Sequence, residues 1–402
     1  MSDNTVMHTS FGNFKLQRFP KAPARSGKQQ PLRAWDAADE YLLEWVHEQL
    51  AINDKRTPQV FILNDSFGAL AVSLRQFSRY WQSDSFMAQA GCRQNISDNC
   101  ENAPGAQQSS LTLLDSLHWP DSPIDLVLIK VPKTSALLEH QLYQLRQVIH
   151  PATQIVAAGM TKNIHTNTLK TFEKVLGPTT TSLARKKARL IFCQPEPDAW
   201  RGQSPYPTRY RLKASDLPEV QRQSLDFVIH NHANVFSRAS LDIGTRLFLQ
   251  HLPQTNTAKD IIDLGCGNGL LGIAAVKAHP CARVHFADES FMAIDSARQN
   301  VDSAFGKHDH CTFKVGDSLS DYQSESADLI LNNPPFHQQS VVGDHIAWQM
   351  FNDAKRVLKS GGCLWVIGNR HLNYHTKLQR LFGHCRTVAS DQKFVVLEAK
   401  KR

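Results

Sequence analysis

No apolar stretch of this 402-residue chain approaches the roughly 20 residues a helix needs to cross a bilayer, which argues against an integral membrane protein. The polar N-terminus, Met1 to Phe14, lacks the basic-then-apolar order of a secretory leader, so the expected compartment is the cytoplasm. The eight cysteines (Cys92, Cys100, Cys193, Cys266, Cys281, Cys311, Cys363 and Cys385) form no C-x-x-C pair. That argues against a zinc ribbon or a thioredoxin-type site; reduced, mostly buried thiols are expected, and no metal. Charged residues are only 20% of the chain against 41% apolar, which sets aside disordered and fibrous classes. The length suffices for two domains with full cores.

Lysine and arginine number 45 against 37 acids, a formal net charge of +8, compatible with a polyanionic partner. The local pattern says more. Arg185, Lys186, Lys187 and Arg189 fall within five residues, and Arg201, Arg209, Arg211 and Lys213 alternate with Trp200, Tyr206 and Tyr210. Basic groups among aromatics suit gripping phosphates and stacking on unpaired bases. An ordinary solvated surface stays open for either stretch alone.

Two segments repeat. Ser85-Phe86-Met87-Ala88 matches Ser290-Phe291-Met292-Ala293, and Arg93-Gln94-Asn95 matches Arg298-Gln299-Asn300 at the same offset. The neighbouring apolar strands follow in the same order around both copies. An internal duplication is implied, giving two similarly wound α/β domains. Their boundary is expected in the proline-containing segment 193 to 210, with domains 1–192 and 193–402. The second is entered by a helix with Leu241, Thr245, Phe248 and Leu252 near helical spacing, capped by Ser240 or Asp242.

In the second copy, strand, glycine loop and helix follow one another in Ile261 to Ala278. Gly265, Gly267 and Gly269 let the backbone turn sharply and approach a ligand, with Asp263 at the strand end. The next strand ends on Asp288 and Glu289, an acidic pair suited to accept both hydroxyls of a ribose. The third ends on Asp317 and the fourth on Asn333-Pro334-Pro335-Phe336. Each strand thus sets polar groups at one edge of one sheet. For Asp288 a helix cap is the alternative.

This arrangement resembles the S-adenosylmethionine-dependent methyltransferases of the Rossmann-like class. The resemblance implies that Asp263 and the loop Gly265, Cys266, Gly267, Asn268 and Gly269 hold the amino-acid part of the cofactor. It implies likewise that Asp288 binds the ribose and Asp317 contacts the adenine. A hydride-transferring dehydrogenase fits less well, because the loop lacks the G-x-G-x-x-G order.

The Asn-Pro-Pro-Phe turn suits methylation of a ring-attached amine, whose delocalised lone pair makes it a poor nucleophile. Asn333 offers a side-chain carbonyl and Pro334 a backbone carbonyl to hold the amine hydrogens and steady the charge growing on nitrogen. Pro335 stiffens the turn, and Phe336 offers a flat face for a base. Longer stretches, including Phe227 to Pro253, Asp263 to Gly272 and Gly368 to Gly383, resemble the ribosomal RNA guanine-N2 methyltransferases of the RlmG/RsmC type. The branch acting on large-subunit RNA is the nearer likeness, ahead of small-subunit RNA. DNA adenine-N6 and protein-glutamine methyltransferases share the motif but fit the rest less well. A non-enzymatic assembly factor would not need intact motifs. For His230, His232 and His337 an RNA contact stays open beside the favoured structural role, and none is expected to be catalytic.

The first copy has Gly68 as the one glycine of its loop, with Asp65, Ser66 and Phe67 expected to fill the space of a cofactor's tail. Lys130-Val131-Pro132-Lys133 stands where the second copy has Asn333 to Phe336. An ammonium cannot accept from an amine, so the first domain is expected to be cofactor-free, with Lys130 and Lys133 contacting RNA phosphates.

Overall fold

Short apolar strands alternating with helices build two doubly wound units, which divide between Pro205 and Tyr206. The computed structural model describes residues 4–20, 32–52, 58–100, 111–212, 227–253, 257–306, 308–335 and 341–402.

In the first unit β1 (Val6–Thr9) and β2 (Gly12–Lys15) pair as an antiparallel ribbon ahead of α1 (Ala37–Ile52). Then come β3 (Val60–Leu63), α2 (Ala69–Ser73), β4 (Ser78–Ser83), α3 (Phe86–Cys100), β5 (Thr112–Asp115) and β6 (Leu126–Lys130). After these follow α4 (Ser135–Leu145), β7 (Gln154–Met160), α5 (Thr166–Val175), β8 (Thr179–Thr181) and β9 (Ala188–Cys193). The sheet runs β5-β4-β3-β6-β7-β9-β8, with β9 antiparallel to both neighbours.

The second unit repeats the plan. β10 (Thr208–Arg211) and β11 (Val228–Asn231) form the ribbon, followed by α6 (Ile243–Gln250), β12 (Asp260–Leu264), α7 (Leu270–Ala278) and β13 (Arg283–Asp288). α8 (Phe291–Phe305), β14 (Cys311–Val315), β15 (Ala327–Asn332), α9 (Val341–Val357) and β16 (Leu358–Asn369) come next. α10 (Tyr374–Phe382), β17 (Arg386–Ser390) and β18 (Phe394–Lys400) close the chain. The order β14-β13-β12-β15-β16-β18-β17 is that of the first sheet, position for position. Every residue of β12 is buried, as a central parallel strand covered on both faces requires. Phe248, Leu271 and Val301 of α6, α7 and α8 cover one face, and Phe351 and Leu378 of α9 and α10 the other. The chain reverses direction across the sheet at β12, which lies between β13 and β15. Ligands of such folds bind in the crevice at the carboxyl ends of the strands flanking this point.

The repeated sequence segments have a physical cause. Ser85 and Ser290 each accept the N–H of the residue three along, Ala88 (3.2 Å) and Ala293 (3.0 Å), and so start α3 and α8. Asn95 donates to the carbonyls of Phe67 and Gln17 and accepts from Gln17 N–H. Asn300 does the same with Asn268 and His230. Each asparagine therefore ties a glycine loop to the helix behind it, together with the ribbon strand β11 in the second unit and the segment just after β2 in the first. Gly68 and Gly269, at φ +82° and +79°, face Cys92 and Ala297 so closely that a Cβ would lie 2.9 and 3.1 Å from the helix Cα.

Two expectations are corrected here. The first unit extends beyond 192 because the segment after β9 bonds back to it: Glu196 N–H and Trp200 Nε1 both donate to Leu176 O, and Arg146 donates to the carbonyls of Arg201 and Gly202. Burial of the thiols is also less general than expected. Cys92, Cys193, Cys266 and Cys385 are buried, Cys311 and Cys363 half-buried, Cys100 and Cys281 exposed.

Candidate active site

The glycine loop leaves β12 and enters α7 with φ of +69° at Gly265, +54° at Gly267 and +79° at Gly269. Gly265 and Cys266 donate their N–H groups to Ala287 O (2.8 and 3.1 Å), holding the loop against the end of β13. Asn268 Nδ2 donates to Asn231 Oδ1 at 3.0 Å, and Cys266 is buried beneath. A Cβ on Gly267 would meet no atom within 4 Å, so the loop faces open space there. Beneath the loop Asp263 accepts from Gly272 N–H (2.8 Å), while its Oδ1 is buried without a partner among the described residues. Burial, reinforced by Asp288 and offset in part by that N–H, pushes its carboxyl up to about 7.

Asp288 Oδ2 accepts from Gly267 N–H (2.9 Å) and its Oδ1 from Ser290 N–H (3.0 Å), so it braces the loop from the next strand. The side-chain cap of α8 is Ser290. Glu289 is exposed beside it. Asp317, half-buried, accepts from Gln349 Nε2 at 2.7 Å, and burial raises its pKa.

β15 stops at Asn332, whose Nδ2 donates to Leu264 O (2.8 Å) and ties the ends of β12 and β15 together. Asn333 follows. Its Nδ2 donates to Thr245 Oγ1 at 3.1 Å, and its Oδ1 is buried with no partner among the described residues. A Cβ on Gly265 would lie 3.7 Å from Asn333 O, so motif and loop adjoin. Pro334 is buried and Pro335 exposed; Phe336 and His337, like Lys213, lie outside the described residues. Of the two expected caps, Asp242 starts α6, its Oδ2 accepting Thr245 N–H at 3.0 Å. Thr245 was read only as part of an apolar stripe. A hydroxyl on that core-facing stripe was the available signal for its place in the site.

His230 and His232 serve the fold: Asn300 brackets the backbone of His230, and His232 Nε2 lies 2.7 Å from Asp295 Oδ2. Among the described residues no group of three His, Cys, Asp or Glu could hold a metal. The basic stretches are less free than their sequence implies. Arg185 pairs with Glu44 (2.9 Å) and Lys186 with Glu40 (2.8 Å), pinning the β8–β9 turn onto α1, whereas Lys187 is exposed. Arg189 is half-buried, its Nε without a partner among the described residues. Trp200 lies under the Arg146 guanidinium and Tyr210 packs on the core, each half-buried. Arg201, Arg209 and Arg211 are exposed, the last two on one face of β10.

The first unit corrects one reading. Lys130, expected on RNA phosphates, is held between Asp36 and Asp39 at 2.7 Å each, its side chain 12% exposed. Burial works against its charge, but the two carboxylates more than offset this and raise its pKa; burial pushes Asp39 up to about 6. Lys133 does face solvent. Asp65 is buried and accepts the N–H groups of Gly68, Ala69, Leu70 and Ala71, acting as a built-in anion at the start of α2. Ser66 is exposed, and Phe67 packs on the core.

Residues 4–197 match the profile of the RLMG N-terminal domain and residues 226–398 that of the methyltransferase small domain. Proteins named ribosomal RNA large subunit methyltransferase G are similar throughout. The one from Erwinia tasmaniensis is 49% identical, over 96% of each chain. That from Streptomyces avermitilis is 46% identical over 99% of this chain and 100% of its own, and that from Aeromonas salmonicida 47% identical over the same shares. The structure of a T. thermophilus 16S rRNA N2 G1207 methyltransferase, in complex with AdoMet and guanosine, superposes with a TM-score of 0.70. It covers 99% of this chain and 98% of its own at 18% identity, a likeness of fold.

Proposed function

The chain belongs to the ribosomal RNA large subunit methyltransferase G family, and from that premise we propose that it transfers a methyl group from S-adenosylmethionine to the exocyclic N2 of a guanine in large-subunit (23S) ribosomal RNA. The observation that carries the site assignment is the Oδ1 of Asn333, buried and without a partner among the described residues, next to the open face of the glycine loop. A buried acceptor without a donor is costly, and a target amine would satisfy it.

The residues present fit the cofactor. Asp263 and Gly265 to Gly269 would hold its amino-acid end, Asp288 and Glu289 its ribose and Asp317 its adenine. When bound, S-adenosylmethionine supplies an electrophilic methyl group on a positively charged sulfur. The chain's own residues do the rest. Asn333 Oδ1 and the Pro334 carbonyl accept the amine hydrogens and aim the nitrogen lone pair, stabilising the positive charge that grows on it. Pro335 keeps that turn from reorganising, and Phe336 gives the base a face to stack on. No side-chain base is needed, because the N-methylated nitrogen loses its extra proton to water. Residues up to Pro205 form a cofactor-free unit that holds RNA, through Lys133, Lys187 and Arg201, while Arg209 and Arg211 serve the second unit. With ribosomal RNA as substrate, we take the compartment to be the cytoplasm.

The test is labelled methyl transfer to protein-free large-subunit RNA, small-subunit RNA and intact subunits, with the product nucleoside identified by mass spectrometry. N2-methylguanosine in large-subunit RNA is expected. Label confined to small-subunit RNA, or in another nucleoside, would refute the assignment.

A further inference from the structure

The side-chain amide of Asn333 can sit in two orientations related by a half-turn, and only one aims the oxygen at a target amine. We propose that Thr245 is the positioning residue that selects the productive orientation, a proposal that rests on the role given to Asn333 above. Asp242 Oδ2 accepts the backbone N–H of Thr245 at 3.0 Å and lies 3.5 Å from its hydroxyl. The same oxygen that accepts the N–H accepts the hydroxyl, so the hydroxyl turns its hydrogen toward Asp242 and keeps its lone pairs for another donor. That donor is Asn333 Nδ2, at 3.1 Å. With the nitrogen engaged there, the oxygen is left facing the site, buried and without a partner among the described residues.

The cap of α6 therefore has a second task. It fixes the hydrogen-bond polarity of Thr245, and Thr245 fixes the amide.

The first unit offers an internal comparison. By the shared sheet register, Lys130 takes the place of Asn333 at the end of the equivalent strand. At the start of α1, Asp36 and Asp39 take the places of Asp242 and Thr245. The link from helix start to strand end survives, as the 2.7 Å contact of Lys130 with Asp39, but it ends on an ammonium that can accept nothing. Both copies keep the brace. Only the second ends it on an acceptor.

Thr245→Val keeps the volume and removes the hydroxyl. Turnover on large-subunit RNA should fall roughly 10- to 100-fold, the scale at which losing an outer-shell partner is felt elsewhere. RNA KM and calorimetric S-adenosylmethionine affinity should stay within about twofold. Thr245→Ser should restore most of the turnover, and in an Asn333→Ala background Thr245→Val should cost nothing further. The proposal is overturned if Thr245→Val turns over like the wild type, if serine fails to rescue, or if the loss adds to that of Asn333→Ala. Should the valine variant not fold, serine rescue of a Thr245→Ala variant decides between the same outcomes. A wild-type chain that methylates no large-subunit RNA would overturn the functional reading, and this one with it.

Discussion

Asp263 is buried at the end of β12, with one carboxylate oxygen on Gly272 N–H and the other without a partner among the described residues. Its folded-state pKa of about 7 lies well above the ordinary 3.8, so between those values the folded chain binds a proton that the unfolded chain does not. The stability it contributes is therefore present in acid and is lost as pH rises through about 7. Asp263→Asn should remove that component: between pH 5 and pH 8 the wild-type Tm should fall by more than the variant's. Equal shifts would mean that Asp263 is ionised in the folded chain throughout. The D-x-G-x-G-x-G spacing made this aspartate legible in the sequence, as it did the turns at Gly265 and Gly267. Thr245 was not legible, because its partner Asn333 lies in a distant element and only the fold brings them together.

At the scale of elements, helix starts explain most of what the sequence revealed. The Ser-Phe-Met-Ala repeats are caps, short-range and hence visible as strings, whereas the paired asparagines are loop anchors whose partners lie far along the chain and show only as a repeat. Charge was read less well, since sequence shows where cations are but not which acids face them. Lys130 is the clearest case: α1 brings Asp36 and Asp39 onto it from far along the chain. Lys130→Ala should leave a buried carboxylate uncompensated, at a cost of about 3–5 kcal/mol, while the salt dependence of RNA binding stays as it was. Lys187→Glu should do the reverse, lowering the log–log salt slope by about one unit with little effect on stability. A flattened slope in the Lys130 variant with unchanged Tm would return that lysine to the RNA surface.

Across the whole molecule, one sheet plan occurs twice with different chemistry at its carboxyl edge. In the second unit the loop opens beside an amide oxygen without a partner among the described residues; in the first, Asp65 serves the N–H groups of α2 and a lysine stands at the strand end. An internal carboxylate at that helix start disfavours a second anionic group there. Calorimetric titration with S-adenosylmethionine should accordingly give one site per chain, and two would contradict the reading of the first unit. The duplication itself was legible from residues 83 to 99 and 287 to 304, and the expected segment 193 to 210 contains the division, but the reach of the first unit past 192 was not legible because the bonds that hold Trp200 to Leu176 leave no mark in composition. The central claim is that Asn333 presents the target amine for methylation. Its most direct test is the single-turnover rate of Asn333→Ala on large-subunit RNA, with the variant saturated in S-adenosylmethionine. The account predicts a loss of roughly 10²- to 10³-fold, as when one oriented polar group is removed from a reacting centre. A rate near that of the wild type would contradict it.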